Sequence, residues 1–308
     1  MRIAVIDLGT NTFNLIIAEK QKLGLSILFC CKESVKLGQG GISNNYIQAD
    51  AFERAFLALQ KFRDIIHSYS IGETVAIGTS ALRTAINATT LFEGFEKIFG
   101  QKITVISGER EAELIYQGVQ LSIPKKLSNY LILDIGGGSN EFIIVVEKQM
   151  VWKQSFPLGM ARLIERFKPS DPITSTEVQY LESYFEQELL ELFQQLKFYT
   201  VKCLVGAEGA FESFYNTIQY QKNKDYNPIQ LFEIQNIEVD DYYRFHTQIL
   251  QSSAIQRAKM KGIEPYRIEM LVLASIFVHF IVKKLQLTSI FMSPFSLKEG
   301  VVWEKIFK

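Results

Sequence analysis

The chain is poor in the residues that build disulfide frameworks and transition-metal sites. Its three cysteines, Cys30, Cys31 and Cys203, include no Cys-x-x-Cys pair. A disulfide scaffold is therefore excluded, and reduced thiols in a cytoplasmic setting are expected. His67, His246 and His279 are the only histidines. They lack metal-ligand spacing, and no Ser-His-Asp or Cys-His set can be assembled from them, which argues against a covalent intermediate. His279 falls inside an apolar run and is expected to be a hydrogen-bonded core residue. Net charge is absent as well, with 33 basic and 33 acidic residues. Bulk attraction to nucleic acid is thereby excluded, and any anion must be held locally. Long hydrophobic runs are missing too. The longest, Met270 to Val282, is too short to span a bilayer and contains Ser275 and His279, so it reads as a buried helix with no membrane partner. The first residues enter a strand pattern directly, so no secretory signal is expected.

What is present is the composition of a folded protein, 47% hydrophobic and 21% charged over 308 residues. That length exceeds what one core usually supports, so two domains are expected, at 1–124 and 125–308. The junction falls near Ser122 to Ser128. A last helix, about 296–308, is expected to pack back across the first domain.

One pattern occurs twice: Asp7-Leu8-Gly9-Thr10-Asn11-Thr12 and Asp134-Ile135-Gly136-Gly137-Gly138-Ser139. Apolar runs flank each copy, so each reads as strand, tight glycine turn, strand. Such a turn offers backbone N–H groups to an anion, while its Asp can hold a cation that bridges to that anion. Two facing turns would clamp a phosphate chain between two lobes. A second landmark, Gly78 in Ile77-Gly78-Thr79-Ser80-Ala81 and Gly206 in Val205-Gly206-Ala207-Glu208-Gly209-Ala210, follows each Asp turn at nearly equal spacing. The matched order argues for two copies of one fold unit. Apolar residues recur at helical spacing over Asp50 to Tyr69. Their counterpart, about Ser175 to Tyr199, opens on the capping box Thr174-x-x-Glu177. Helices are also expected at about 240–260 and 268–285, and an inserted loop at Asn223 to Asn236.

These residues, with Lys36-Leu37-Gly38-Gln39-Gly40, Gly78-Thr79-Ser80-Ala81-Leu82-Arg83, Ser107-Gly108-Glu109-Arg110-Glu111-Ala112 and Pro157-Leu158-Gly159-Met160-Ala161-Arg162, carry a resemblance over nearly the whole chain. It resembles the exopolyphosphatase/guanosine pentaphosphatase (Ppx/GppA) family of the actin-like phosphotransferase superfamily, in its short two-domain form. The resemblance implies an α/β fold of two ribonuclease-H-like domains around a central cleft. It also implies Mg²⁺-dependent hydrolysis of the terminal phosphate of inorganic polyphosphate or guanosine pentaphosphate. Two positions depart from the family's pattern: Asn14, where a basic residue is common, and Glu208, where small or hydroxyl residues are common.

The residues fall into roles. Water is a poor nucleophile toward anionic phosphorus, so hydrolysis needs an aligned base; by resemblance that base is Glu111. Glu109 and Glu113 are expected to be a solvated, dipole-favoured first helical turn. Arg83 is expected to bind phosphate oxygens and stabilise charge in the transition state. Thr10, Asn11, Thr12, Gly136, Gly137, Gly138 and Ser139 would bind phosphate from both sides, with Gly206 at the far end of the cleft. Asp7, Asp134 and Glu141 are the candidate Mg²⁺ ligands, directly or through water. Lys36, Lys125, Lys126, Arg162, Arg166 and Lys168 are a candidate track for a longer polyanion, although scattered cations are usually solvated surface. Rival readings are an actin-like sugar or acetate kinase and a polyphosphate- or alarmone-binding sensor with little turnover. A homodimer is left open.

Overall fold

The computed structural model describes residues 2–21, 24–228 and 231–308. The first lobe runs β1 (Arg2–Leu8), β2 (Thr12–Gln21), β3 (Gly24–Ser34), α1 (Ala49–His67), β4 (Glu73–Gly78), α2 (Ser80–Thr84), α3 (Thr89–Phe99), β5 (Thr104–Val105) and α4 (Gly108–Gln120). The second runs β6 (Tyr130–Ile135), β7 (Asn140–Val146), β8 (Gln149–Phe156), α5 (Met160–Phe167), α6 (Ser175–Glu188), α7 (Leu190–Gln195), β9 (Cys203–Ala207), α8 (Gly209–Lys222), β10 (Gln235–Ile237), α9 (Val239–Gln251), α10 (Ala254–Arg257), α11 (Met270–Lys284), β11 (Ser289–Ser293) and α12 (Leu297–Phe307).

Each lobe is built on one sheet, ordered β3-β2-β1-β4-β5 in the first and β10-β11-β9-β6-β7-β8 in the second. In both, the strand that ends in the Asp turn pairs antiparallel with the next strand and parallel with a later one. Central strands carry near-continuous apolar runs because both their faces are covered; Ile3 to Ile6 and Tyr130 to Leu133 are fully buried. The duplication read from the two turns is therefore a duplication of sheet topology. The second landmark is a looser match. Gly78 pairs with Leu8, just past Asp7, whereas Gly206 pairs with Leu133, just before Asp134. The two glycines lie near equivalent strand ends but not at equivalent positions.

Several helices are shorter than their periodicity implies. The 240–260 stretch breaks at Ser252, where Ser253 caps α10 through its side chain and Gln256. The stretch after Thr174 keeps its capping box but breaks at Leu189. The 223–236 stretch ends by entering β10, and its positions 229 and 230 lie outside the described residues.

Two helices lie between the sheets and make them one object. α4 packs on β7 and β8 of the second lobe, while α12 packs on β1 and β2 of the first, and the pair pack on each other. Ala112, Leu114, Ile115 and Val119 of α4 and Val301, Val302 and Ile306 of α12 join Ile3, Val5, Ile132 and Val205 in a single apolar cluster. Gly118 and Gly300 set how closely the helices approach. A Cβ on Gly118 would lie 1.9 Å from the Ser296 carbonyl oxygen, and one on Gly300 would lie 1.9 Å from that of Leu114. Alanine favours a helix interior over glycine by about 1 kcal/mol, but overpacking against backbone costs about 1–3 kcal/mol or more. Overlap with backbone rather than a flexible side chain puts Gly300→Ala at the upper end of that cost, so it is expected to lower stability by about 2 kcal/mol net in urea titration. A neutral or stabilised variant would show that the helices do not meet there.

His246 and His279 are not isolated. Their rings stack at 4.1 Å and 6° in the second lobe's core. His246 Nδ1 bonds Ser275 Oγ at 2.8 Å, while His279 Nδ1 is buried with no partner. The expected hydrogen-bonded core histidine is thus His246 rather than His279. Burial, then the neighbouring His279, pushes His246 down to about 3. Below the ordinary value of 6.5 the unfolded chain binds a proton that the folded chain refuses. Stability from this group is therefore complete above pH 6.5 and falls as the pH drops toward about 3. Replacing the imidazole by an apolar ring, His246→Phe, should shrink the loss of melting temperature between neutral and mildly acid buffer. An unaltered acid slope would remove His246 as its source.

Candidate active site

The two Asp turns close with the same hydrogen bond: Gly9 N–H donates to Thr12 O at 3.1 Å, and Gly136 N–H to Ser139 O at 3.0 Å. Each turn also has its carbonyls tied down by a following segment. Gly38 N–H donates to Thr10 O, and Val35 and Lys36 N–H donate to Asn11 O; across the cleft, Met160 and Ala161 N–H at the start of α5 donate to Gly136 O and Gly137 O. This accounts for the Lys36 to Gly40 and Pro157 to Arg162 motifs as buttresses. With the carbonyls held back, the turn amides are left to face a ligand.

The turns nearly touch. A Cβ on Gly138 would lie 2.6 Å from Thr10 Oγ1 and 2.5 Å from Ser80 Oγ, so only glycine permits this approach. Thr10 Oγ1 accepts from Ala81 N–H at the start of α2, 3.2 Å away. Together the turns line a cleft of about 160 Å³. At roughly 10–15 Å³ per water on this measure, it holds on the order of ten waters, enough for a short phosphate chain.

Four carboxylates line this cleft, Glu111 and Glu141 buried and Asp7 and Asp134 half-buried. Asp7 accepts from Asn14 Nδ2 at 2.8 Å, and its other oxygen is buried without a partner. Asn14, the departure from the family's basic residue, thus holds the first Asp in place. Asp134 accepts from Ser296 Oγ, and Glu141, 2% exposed, accepts from Ser155 Oγ at 2.6 Å. Burial pushes Asp7 up to about 6 despite the Asn14 bond. Burial and then the charge of Glu141 push Asp134 up to about 8. Acids raised by burial and by one another are the donor set a hard divalent cation relieves, and the orphaned Asp7 oxygen fits the same requirement. Among the described residues no three Asp, Glu, His or Cys side chains converge closely enough to ligate a metal by themselves.

Glu111 lies in the first turn of α4, whose start is capped by Ser107 Oγ accepting from Arg110 N–H at 3.1 Å. It is 8% exposed and takes Arg83 Nη1 at 3.0 Å; the same nitrogen donates to Ile106 O at 2.8 Å. Burial first, then Glu141, hold its carboxyl well above the ordinary range, and Arg83 pulls the other way. A carboxylate so placed is more basic than one in water, which suits it to take a proton. Glu113 is engaged elsewhere, paired with Arg110 at 3.0 Å and Lys153 at 3.2 Å.

Other expected residues sit away from the cleft. Gly206 is buried in β9 beneath the Phe211 ring, 1.9 Å from where its Cβ would be, so it makes room for packing and does not line the phosphate path. The cation track is not continuous. Arg162 is spent on the Gly138 and Ile42 carbonyls, Arg166 lies over Tyr184, and Lys125 and Lys126 are exposed. Lys36 lines a pocket adjoining the cleft, with Tyr266.

The sequence offers no signal for the opposite wall. Lys298 of α12, 4% exposed, lies between Glu208 and Glu299, and Lys32 and Arg267 line the same side. Burial works against the Lys298 charge, yet Glu208 and Glu299 outweigh it and hold the amine above its ordinary range. Only the docking of α12 brings this lysine to the cleft, and no spacing rule foresees that. The departure at Glu208 is the one visible hint.

Residues 16–308 match the Ppx/GppA phosphatase family. A crystal structure of an exopolyphosphatase from Cytophaga hutchinsonii is 34% identical, with a TM-score of 0.95 over 99% of this chain and 98% of that one. The Aquifex aeolicus PPX-GPPA enzyme, 23% identical with a TM-score of 0.79 over 99% of both chains, shares the fold. A bifunctional 3-dehydroquinate synthase/phosphatase from Fusobacterium nucleatum is 29% identical over 285 residues, 87% of this chain, and this chain spans 41% of that relative's length. The architecture is accordingly two ribonuclease-H-like α/β lobes around a cleft. With the family matched over nearly its whole length and the same two lobes in a 34%-identical structure, this chain belongs to the Ppx/GppA phosphatase family.

Proposed function

We propose that the chain is a Mg²⁺-dependent exopolyphosphatase of the cytoplasm, cutting the terminal phosphoanhydride bond of inorganic polyphosphate by direct attack of water. The observation that carries this reading is buried Glu111, which lines the same cleft as both Asp turns and is paired with half-buried Arg83. Phosphoryl transfer asks the protein chiefly to position groups and to stabilise charge. The turns Thr10 to Thr12 and Gly136 to Ser139 would hold the terminal phosphate by backbone amides and hydroxyls. Glu111 would orient the water and take its proton as the new P–O bond forms. Arg83 would stabilise charge on the phosphoryl oxygens as the anhydride bond breaks and the shortened chain leaves. Asp7 and Asp134, with Glu141 behind them, would hold Mg²⁺, which neutralises phosphate charge when bound.

Guanosine pentaphosphate is the second substrate to consider. The adjoining pocket, with Tyr266, Ile164, Ile268 and Met270, gives an apolar wall beside Thr10 and Asn11 on which a base could rest. Zero net charge supports no nucleic-acid partner. Among the described residues no helix is long and apolar enough to cross a membrane.

Phosphate release from polyphosphate and from guanosine pentaphosphate, with Mg²⁺, tests the assignment. Glu111→Gln is expected to lower kcat by roughly 10²- to 10⁴-fold, the usual contribution of a positioned base. Release from neither substrate, or full activity in that variant, ends the hydrolase reading. The metal has its own check. Mg²⁺ should raise the melting temperature of the wild type but hardly that of Asp7→Asn/Asp134→Asn, because the stabilisation comes from the carboxylates it relieves. Equal responses in both proteins would place any Mg²⁺ elsewhere.

A further inference from the structure

Glu208 adopts φ 40° and ψ −140°, a region that side-chain-bearing residues rarely enter and that persists only where surrounding contacts enforce it. The contact here is Lys298. Its amine is clasped by both Glu208 carboxylate oxygens and by Glu299 Oε1 at 3.0 Å. The other cations on this wall are also matched by acids. Lys32 Nζ pairs with Glu212 Oε2 at 2.9 Å, and Arg267 Nε lies 3.8 Å from Glu264 Oε2. A wall with three cations would ordinarily draw a polyanion inward. This one presents neutralised pairs, with the Glu208 carboxylate lining the cleft itself.

The position of that carboxylate gives it a consequence. Attack in line with departure places the leaving phosphates on the side of the clamp opposite the water. Glu111 and Arg83 mark the water side. Glu208 is on the other: Asp134 pairs with Ala207, just before Glu208, on one side and with Glu141 on the other, Glu141 pairs with Ser155, and the start of α4, which carries Glu111, abuts Ser155 at Gly108. The leaving-side phosphates of a long chain that extend past the second would therefore meet an anion fixed on Lys298.

We propose that Glu208 is a specificity-determining residue that closes the leaving-group side of the cleft and selects short phosphate chains over long ones. The inference rests on the phosphohydrolase reading above and concerns its substrate class. A purely structural Glu208, present only to neutralise Lys298, would change stability but not the ranking of chain lengths. The test compares wild type with Glu208→Gln, which keeps the shape, and Glu208→Gly, which suits the positive φ. For each, kcat/KM is measured on tripolyphosphate and on long-chain polyphosphate. The ratio of long to short should rise roughly tenfold in both variants, the size expected when one like charge is removed from beside a phosphate. An unchanged or lower ratio overturns the proposal. Calorimetric titration of the same two chains without Mg²⁺ gives a readout independent of turnover. The variants should gain affinity for the long chain selectively, and equal gains for both lengths also overturn it. An inactive wild type would end the hydrolase reading, and the titration would still decide the role of Glu208.

Discussion

The crossing of α4 and α12 is the constraint on which the cleft depends. Each helix is packed on the opposite lobe's sheet, and at Gly118 and Gly300 their backbones meet with no side chain between them. Every group of the site that comes from these helices is then set by that crossing. Glu111 lies about two turns before it on α4, and Ser296 and Lys298 sit where α12 begins. Side chains at the crossing would push the helices apart and carry Glu111 and Ser296 with them. A shift of that size matters, because misplacing a catalytic group by about an ångström costs on the order of a hundredfold in rate.

The site is electrostatically uncomfortable by construction. Asp7, Asp134, Glu111 and Glu141 share one cleft, two of them buried and two half-buried, and withdrawal from water already disfavours each charge. A fold selected only for stability would replace such a cluster with apolar residues. Its persistence is what a cation and a polyanion arriving together would repay. The opposite wall follows the reverse rule, with Lys298, Lys32 and Arg267 each beside an acid. One end of the cleft therefore has unmet charge and the other does not. That contrast gives the cleft a direction.

Much of this is legible in the residues. The twin turns are visible because a carboxylate, glycines and hydroxyls between apolar runs form a local pattern, and local patterns survive in sequence. Glu111 and Arg83 can be named, but their 3.0 Å pairing joins α2 to α4 and depends on tertiary geometry. Gly206 misleads because a glycine near the end of a buried strand looks alike whether it faces a ligand or a phenyl ring. The landmark built on it is off in register for the same reason. Lys298 is invisible: one lysine in an amphipathic helix carries no mark of burial. The breaks in the helices after Thr174 and Glu238 are hidden because the apolar stripe continues across Leu189 and Ser252 while the backbone does not.

The docking of α12 also bears on how the protein is made. Strand β1, at the beginning of the chain, is covered by a helix that begins at Leu297. Contacts so distant in sequence form late and slowly, since the entropy of closing the loop must be met before they give anything back. Until they form, Asp134 lacks its Ser296 partner and the leaving-group wall lacks Lys298. The cleft is thus complete only when this long-range docking is in place. A chain whose two sheets are built while that helix still lies outside them has two half-sites and no enzyme.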